Sequence, residues 1–170
     1  MTSKTNILDA AIKVLRHGQT LTIDSVAREA GLTKPGVVHH FATKATLTLA
    51  VVDHVMDIWE NDLLARASSE ADAPTKLRAY VEFALTSPMD PSDLALFADA
   101  RLRDELSEQW VRRLDPWFGT SIDHPAARAA RFIADGAWFD RSLGIVDLTE
   151  AQLEDILAVA MRLINEGVQK

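Results

Sequence analysis

The stretch that decides the fold is residues 22–44, which read TIDSVAREAGLTKPGVVHHFATK. Thr22 and Thr33 can each cap a short helix, and Gly31 permits a sharp turn between the two helices, because glycine adopts backbone conformations that other residues avoid. Two short helices joined by a turn of about four residues form a helix-turn-helix, whose second helix can enter the major groove of DNA. An ordinary helical hairpin would show the same pattern, so this stretch alone leaves both interpretations open.

The rest of the chain also reads as helix, because apolar residues recur at helical spacing and the signals of strands and hairpins are missing. We therefore expect an all-α fold of about nine helices, with a three-helix head and a larger helical body. The predicted helices span residues 3–17, 23–30, 34–41, 44–67, 75–86, 92–115 (one bent helix or two), 125–143, and a last one after a capping box of Thr149 and Gln152.

Composition narrows the class of protein. The 170 residues carry a net charge of −7, but residues 1–47 hold six basic and three acidic side chains, whereas the remainder holds 12 basic and 22 acidic ones. This asymmetry fits different functions for the head and the body, although an excess of three positive charges in the head also arises by chance. The chain has no cysteine, no glycine-rich phosphate loop and no nucleophile motif. We therefore expect no enzyme, no cofactor and no metal site.

Two further absences bear on localisation. No apolar run approaches the roughly 18 residues of a membrane span, and the N-terminal residues show no signal-peptide pattern. We expect a cytoplasmic protein with no membrane partner.

Residues 40–47, HFATKATL, follow the two short helices and add a second recognisable pattern. Together with residues 22–33, TIDSVAREAGLT, they resemble the N-terminal signature of the tetracycline-repressor (TetR) family. The resemblance implies a transcriptional repressor with a DNA-binding domain over residues 1–47 and a ligand-binding and dimerisation domain over residues 48–170. It implies a homodimer, formed through the last two helices of each subunit, that binds double-stranded operator DNA and is released by a small-molecule inducer. Within the family, the chain most resembles the short multidrug-responsive repressors of efflux genes.

The resemblance also implies which residues meet DNA. Those at the groove or its edges are Arg28, Thr33, Lys34, Gly36 and Val37, and those near phosphates are His39, His40, Thr43 and Lys44. The family usually carries a tyrosine near the end of the reading helix, where this chain has Val38 and His39. Either His39 takes over that phosphate contact or the contact is lost. Adjacent helical residues point about 100° apart, so His39 and His40 make a poor metal-binding pair.

Ten of the 11 aromatic residues lie beyond residue 47. Aromatic side chains at helical spacing form either plain core or the lining of an inducer cavity. The candidate ligand-binding residues are Met56, Trp59, Phe83, Phe97, Asp99, Trp110, Asp135, Trp138 and Phe139. An acid beside aromatic rings suits a flat cationic ligand. Alternatively, Asp135 caps a helix or pairs with Arg131 or Arg128.

The predicted function is thus a ligand-responsive repressor in which the long fourth helix couples the body to the head. The competing interpretation is a helical module that binds small molecules or partner proteins without DNA. The last two helices carry small residues and an apolar stripe, which suit either a dimer surface or the core of a single chain.

Overall fold

The computed structural model describes residues 3–98 and 100–168, and it is all-α over those residues. The α-helices are α1 (Lys4–Arg16), α2 (Ile23–Glu29), α3 (Lys34–His40), α4 (Lys44–Arg66), α5 (Ala73–Thr86), α6 (Pro91–Ala98), α7 (Ala100–Arg113), α8 (Asp115–Phe118), α9 (Pro125–Ser142) and α10 (Glu150–Val168). A 3-10 helix, Gly119–Asp123, joins α8 to α9. The predicted all-α class is therefore confirmed, and the described residues add one helix, the single-turn α8, to the nine expected.

The chain forms two compact units. The first comprises Met1–Asp57 and Asp90–Gln109, and the second comprises Ile58–Met89 and Trp110–Lys170. Both α4 and α7 contribute residues to each unit. The predicted functional division at residues 47 and 48 stays a prediction, because compactness does not test what each part binds.

In the first unit, three short helices are held by local caps and a shared core. The side chains of Ser3, Thr22 and Thr33 accept backbone N–H groups at the starts of α1, α2 and α3. Helix α1 packs against α2 and α6, and α2 packs against α3. The fully buried side chains of this unit include Ile7, Val14, Val26, Val37, Leu47 and Met56. Burial of each such side chain stabilises the first unit by roughly 1.5–3 kcal/mol before the loss of conformational entropy is subtracted.

In the second unit, α9 packs against α5 and α10. The small residues Ala127, Ala130 and Ala134 of α9 are buried within this unit. On this side of α9, the small residues therefore allow close packing against helices of the same chain. The capping box at the start of α10 is confirmed, since Gln152 donates its backbone N–H to the Thr149 hydroxyl and accepts the backbone N–H of Thr149.

The predicted start of α5 at Thr75 is wrong by two residues. The helix begins at Ala73, because the Asp72 carboxylate accepts the backbone N–H of Thr75 at 2.8 Å and acts as the N-cap. Pro74 fits the first turn, where its missing N–H costs nothing. Among the helices of residues 3–98 and 100–168, none combines the length and the apolarity that crossing a bilayer requires.

Candidate nucleic-acid interface and ligand site

The turn between α2 and α3 has the geometry that the sequence predicts. Gly31 adopts a φ of +65°, a left-handed conformation in which a β-carbon is strained. The chain reverses tightly there, because Leu32 donates its N–H to the carbonyl of Ala27 at 2.8 Å. Thr33 then caps α3 by accepting the N–H of Gly36 at 3.3 Å. These local contacts fix the angle at which α3 leaves α2.

Helix α3 presents one side to the core and the other to solvent. Val37 is 0 % exposed and Phe41 is also buried, so these two side chains hold α3 against the rest of the first unit. The prediction that Val37 faces the groove is therefore wrong: on this seven-residue helix, Val37 is the residue that anchors the core. Leu47, near the start of α4, is also buried.

The other predicted DNA-facing side chains of α2, α3 and α4 are accessible. Arg28, Thr33, Lys34, His39, His40, Thr43 and Lys44 are exposed, and Gly36 is half-buried. The Lys34 ammonium donates to the Asp24 carboxylate at 2.9 Å, and both side chains are more than half exposed. An exposed pair of this kind is worth at most about 1 kcal/mol, so Lys34 can exchange Asp24 for a phosphate at little cost.

The start of α4 is organised by two threonines. Thr43 accepts the backbone N–H of Thr46 at 3.1 Å, and the Thr46 hydroxyl accepts the backbone N–H of Thr43 at 3.0 Å. This reciprocal cap fixes the first turn that carries Lys44. The His39 and His40 rings lie edge to face with centroids 5.2 Å apart. Among the described residues, no group of three or more histidine or acidic side chains is arranged to hold a metal ion.

The candidate ligand-binding residues divide between the two units. Met56 and Phe97 belong to the first unit. Asp99 lies outside the described residues. The remaining members, Trp59, Phe83, Trp110, Asp135, Trp138 and Phe139, belong to the second unit. The candidate ligand site is therefore built from contacts within the second unit.

An aromatic cluster forms the centre of that group. Trp59 lies edge to face with Trp110 and with Trp138, with ring centroids 6.2 and 6.5 Å apart. Tyr80 meets Trp110 at 5.9 Å and Phe118 at 4.9 Å, also edge to face. Such contacts add about 0.5–1.5 kcal/mol per pair beyond burial, so the rings form part of the core as well as a candidate binding surface.

Asp135 supplies the acid of this cluster and has two partners. The Tyr80 hydroxyl donates to the Asp135 carboxylate at 2.5 Å, and Arg131 lies one helical turn away at 3.6 Å. Burial raises the pKa of Asp135, an effect that the Tyr80 hydrogen bond and the Arg131 charge oppose. Burial and the adjacent Asp135 raise the pKa of Tyr80 well above its usual value. Of the alternatives for Asp135, the pair with Arg131 is confirmed.

Sequence reasoning missed Tyr80 and Phe118 as members of this site, and it named Arg131 only as an alternative partner of Asp135. Arg131 stacks over Phe118, with the guanidinium carbon 4.4 Å from the ring centroid. The spacing of four residues between Arg131 and Asp135 was a usable signal, because residues so spaced are neighbours on a helix. Tyr80 gave no such signal, since it reaches Asp135 from a different helix, 55 residues away along the chain.

Comparisons with protein families agree with this architecture at both ends of the chain. Residues 7–51 match the family model described as bacterial regulatory proteins of the tetR family. Residues 74–165, more than half of the chain, match the model described as a tetracyclin repressor-like C-terminal domain. The fold and the head thus define a transcriptional regulator with an N-terminal DNA-binding domain and a C-terminal ligand-binding domain. The chain belongs to the TetR family, whose regulators are not enzymes.

Solved structures share the fold. A TetR family member from Streptomyces coelicolor A3 matches with a TM-score of 0.67 at 24 % identity, covering 94 % of this chain and 96 % of that one. A proposed transcriptional regulator from Pseudomonas aeruginosa PAO1 matches with a TM-score of 0.63 at 17 % identity, covering 96 % of this chain and 88 % of its own. At these identities the likeness concerns the fold alone. No curated protein matches the chain.

Proposed function

We propose that this chain is a ligand-responsive repressor that binds an operator as a homodimer and leaves it when a small inducer binds. The observation that carries the proposal is the exposed outer side of α3, which is held by the buried Val37 and by the Gly31 turn. A helix presented in this way has the dimensions that the major groove accepts. In this proposal, residues 1–47 bind DNA and residues 48–170 bind the inducer and the second subunit.

The proposed DNA contacts are of two kinds. Arg28, Thr33, Lys34 and Gly36 lie at the groove and its edges, and His39, His40, Thr43 and Lys44 lie near phosphates. Contacts with phosphate set affinity and position, whereas contacts with base edges set sequence preference. The accessibility of these side chains supports the assignment, and Val37 is left out because it is buried.

The proposed dimer surface uses the outer sides of α9 and α10. Phe132, Phe139 and Leu143 are exposed on α9 or just after it, at spacings that put them on one side of the helix. Val159 is exposed on α10. Gly136 lies on the same side of α9 as the three large residues, and a β-carbon added to it would meet nothing within 4 Å. Large exposed apolar side chains beside a small residue favour a second copy packed closely on α9.

The proposed inducer is a flat aromatic cation bound among Trp59, Trp110 and Trp138 near Asp135. Ring faces and a half-buried carboxylate both attract such a ligand. Arg131 offsets part of the Asp135 charge, but it lies 3.6 Å away, beyond hydrogen-bond distance, and so leaves the carboxylate able to accept a second partner.

Coupling between inducer and operator is proposed to run through α4, which carries Lys44 at one end and Trp59 near the other. An inducer that binds the operator-free arrangement more tightly shifts the population toward it. By linkage, operator DNA weakens inducer binding by the same factor.

The test is fluorescence anisotropy with labelled DNA that the protein has selected from a random duplex library. We expect enrichment of a two-fold symmetric site and binding that weakens steeply with salt. Inducer binding is measured without DNA, because ethidium itself intercalates into a duplex. Ethidium should quench the tryptophan fluorescence of the protein, and neutral phenanthridine should not. Arg28→Ala is expected to weaken binding about tenfold, since it removes one charged contact. Arg112→Ala, a matched change at an exposed arginine of α7, is expected to leave binding unchanged. Absence of binding at low salt would instead favour a helical module without DNA.

A further inference from the structure

Val38 is an exposed apolar residue on the helix proposed to read DNA. Its side chain is 38 % exposed, whereas the adjacent Val37 is fully buried. Successive helical residues point about 100° apart, so the burial of Val37 directs Val38 to the flank of α3 and directs Pro35 and His39 outward. Pro35 and His39 are indeed exposed. The accessible surface of α3 therefore includes two apolar side chains, Pro35 and Val38, beside polar ones.

Two side chains of this surface cannot form hydrogen bonds with bases, because Pro35 and Val38 have no polar side-chain atom. The edges of the bases in the major groove are polar, with one apolar exception, the C5 methyl group of thymine. An exposed valine on a groove-reading helix is chemically matched to that methyl group.

We propose that Val38 is a specificity-determining residue that selects thymine by packing its methyl groups against the thymine C5 methyl. The inference rests on the proposed operator binding and adds a residue that lies outside the DNA contacts proposed for that function. The expected preference is about fourfold per methyl contact, which corresponds to the burial of one methyl group.

The experiment starts from the duplex selected by the full-length protein. Each thymine of one half-site is replaced in turn by deoxyuridine, which keeps base pairing and removes only the C5 methyl. For the unaltered protein we expect affinity to fall about fourfold at one or two thymines of the half-site. For Val38→Ala we expect thymine and deoxyuridine to bind equally at those positions. A 5-methylcytosine at the same position should be bound more tightly than cytosine.

Two controls distinguish a loss of thymine recognition from a general loss of DNA binding or of folding. Val111→Ala makes the same change at an exposed valine of α7 and should retain the full deoxyuridine effect. Circular dichroism and thermal unfolding establish that Val38→Ala is folded. The role of Val38 would be overturned if deoxyuridine changed the affinity at no position of the selected site. It would also be overturned if Val38→Ala kept the full deoxyuridine effect. Neither result would overturn operator binding. Failure to select any site would overturn both.

Discussion

At the scale of single residues, the buried acid Asp93 at the start of α6 makes the stability of the fold depend on pH. Its side chain is 8 % exposed, and burial, reinforced by the neighbouring charge of Asp90, raises its pKa to about 7, against the opposing effect of Arg16. Asp90 behaves differently, because Arg16 donates to it from Nε at 3.0 Å. Burial alone would raise the pKa of Asp90, but hydrogen bonds from Arg16 and Ser92 lower it to about 2. Arg16 thus donates its hydrogen bonds to Asp90, whereas it lowers the pKa of Asp93 through its charge.

We expect Asp93→Asn to stabilise the protein at pH 8 and to have little effect near pH 4. Because the folded-state pKa of Asp93 lies above its unfolded value, ionisation opposes folding increasingly as the pH rises from about 4 to about 7. Removal of the carboxylate recovers up to about 4 kcal/mol above that window. The measurement is urea unfolding from pH 4 to 8. Asp147→Asn, at an exposed loop position, is the control and should follow the unaltered protein. Parallel curves for Asp93→Asn and the unaltered protein would contradict the expectation.

At the scale of elements, the turn that joins α2 to α3 depends on the backbone of Gly31. A β-carbon at this position would meet nothing within 4 Å, so any cost of a substitution is conformational and not steric crowding by neighbours. We expect Gly31→Ala to lower the free energy of unfolding by about 1–2 kcal/mol, because φ is +65° there. Gly31→Asn should cost less, since asparagine tolerates the left-handed region. Denaturant unfolding of both variants checks the order, and an asparagine variant that is less stable than the alanine variant would contradict it.

The individual helices and turns also show which features the sequence could predict and which it could not. The caps at Thr22 and Thr33 and the turn at Gly31 were predictable, because each depends on atoms within a few residues. The orientation of α3 was not, since two turns of helix have too few apolar residues to define a buried side, and Val37 and Val38 are chemically identical. Small residues on α9 were equally ambiguous: they suit packing inside the chain as well as packing against a second copy.

At the scale of the whole molecule, contacts within the second unit join segments that lie far apart in the chain. The hydrogen bond from Tyr80 to Asp135 spans 55 residues, and the bidentate pair of Arg113 with Glu60 spans 53. No local spacing predicts such partners, so the sequence identified the members of the candidate ligand site more readily than their pairing. The division of those members between two compact units was likewise invisible in the sequence.

The proposed dimer also concerns the whole molecule, and a substitution of Phe132 tests it most directly. Phe132 is 64 % exposed on α9, which leaves a large aromatic side chain in water unless a second copy covers it. We expect Phe132→Glu to abolish the proposed dimer in sedimentation velocity at micromolar concentration, because a buried charge without a partner is costly. Operator affinity should then fall at least about 30-fold, as loss of an interface hot spot implies.

The control for that change is Val111→Glu, which introduces the same charge at a residue that is 62 % exposed on α7. It should remain dimeric and bind the operator normally. The comparison distinguishes an interface from mere exposure, because both residues are large, apolar and accessible in a single chain. If both variants stay dimeric, the second copy lies elsewhere on the surface, and the close approach permitted by Gly136 serves no subunit contact. If only Phe132→Glu dissociates, the side of α9 that bears Phe132, Phe139 and Leu143 is the subunit contact.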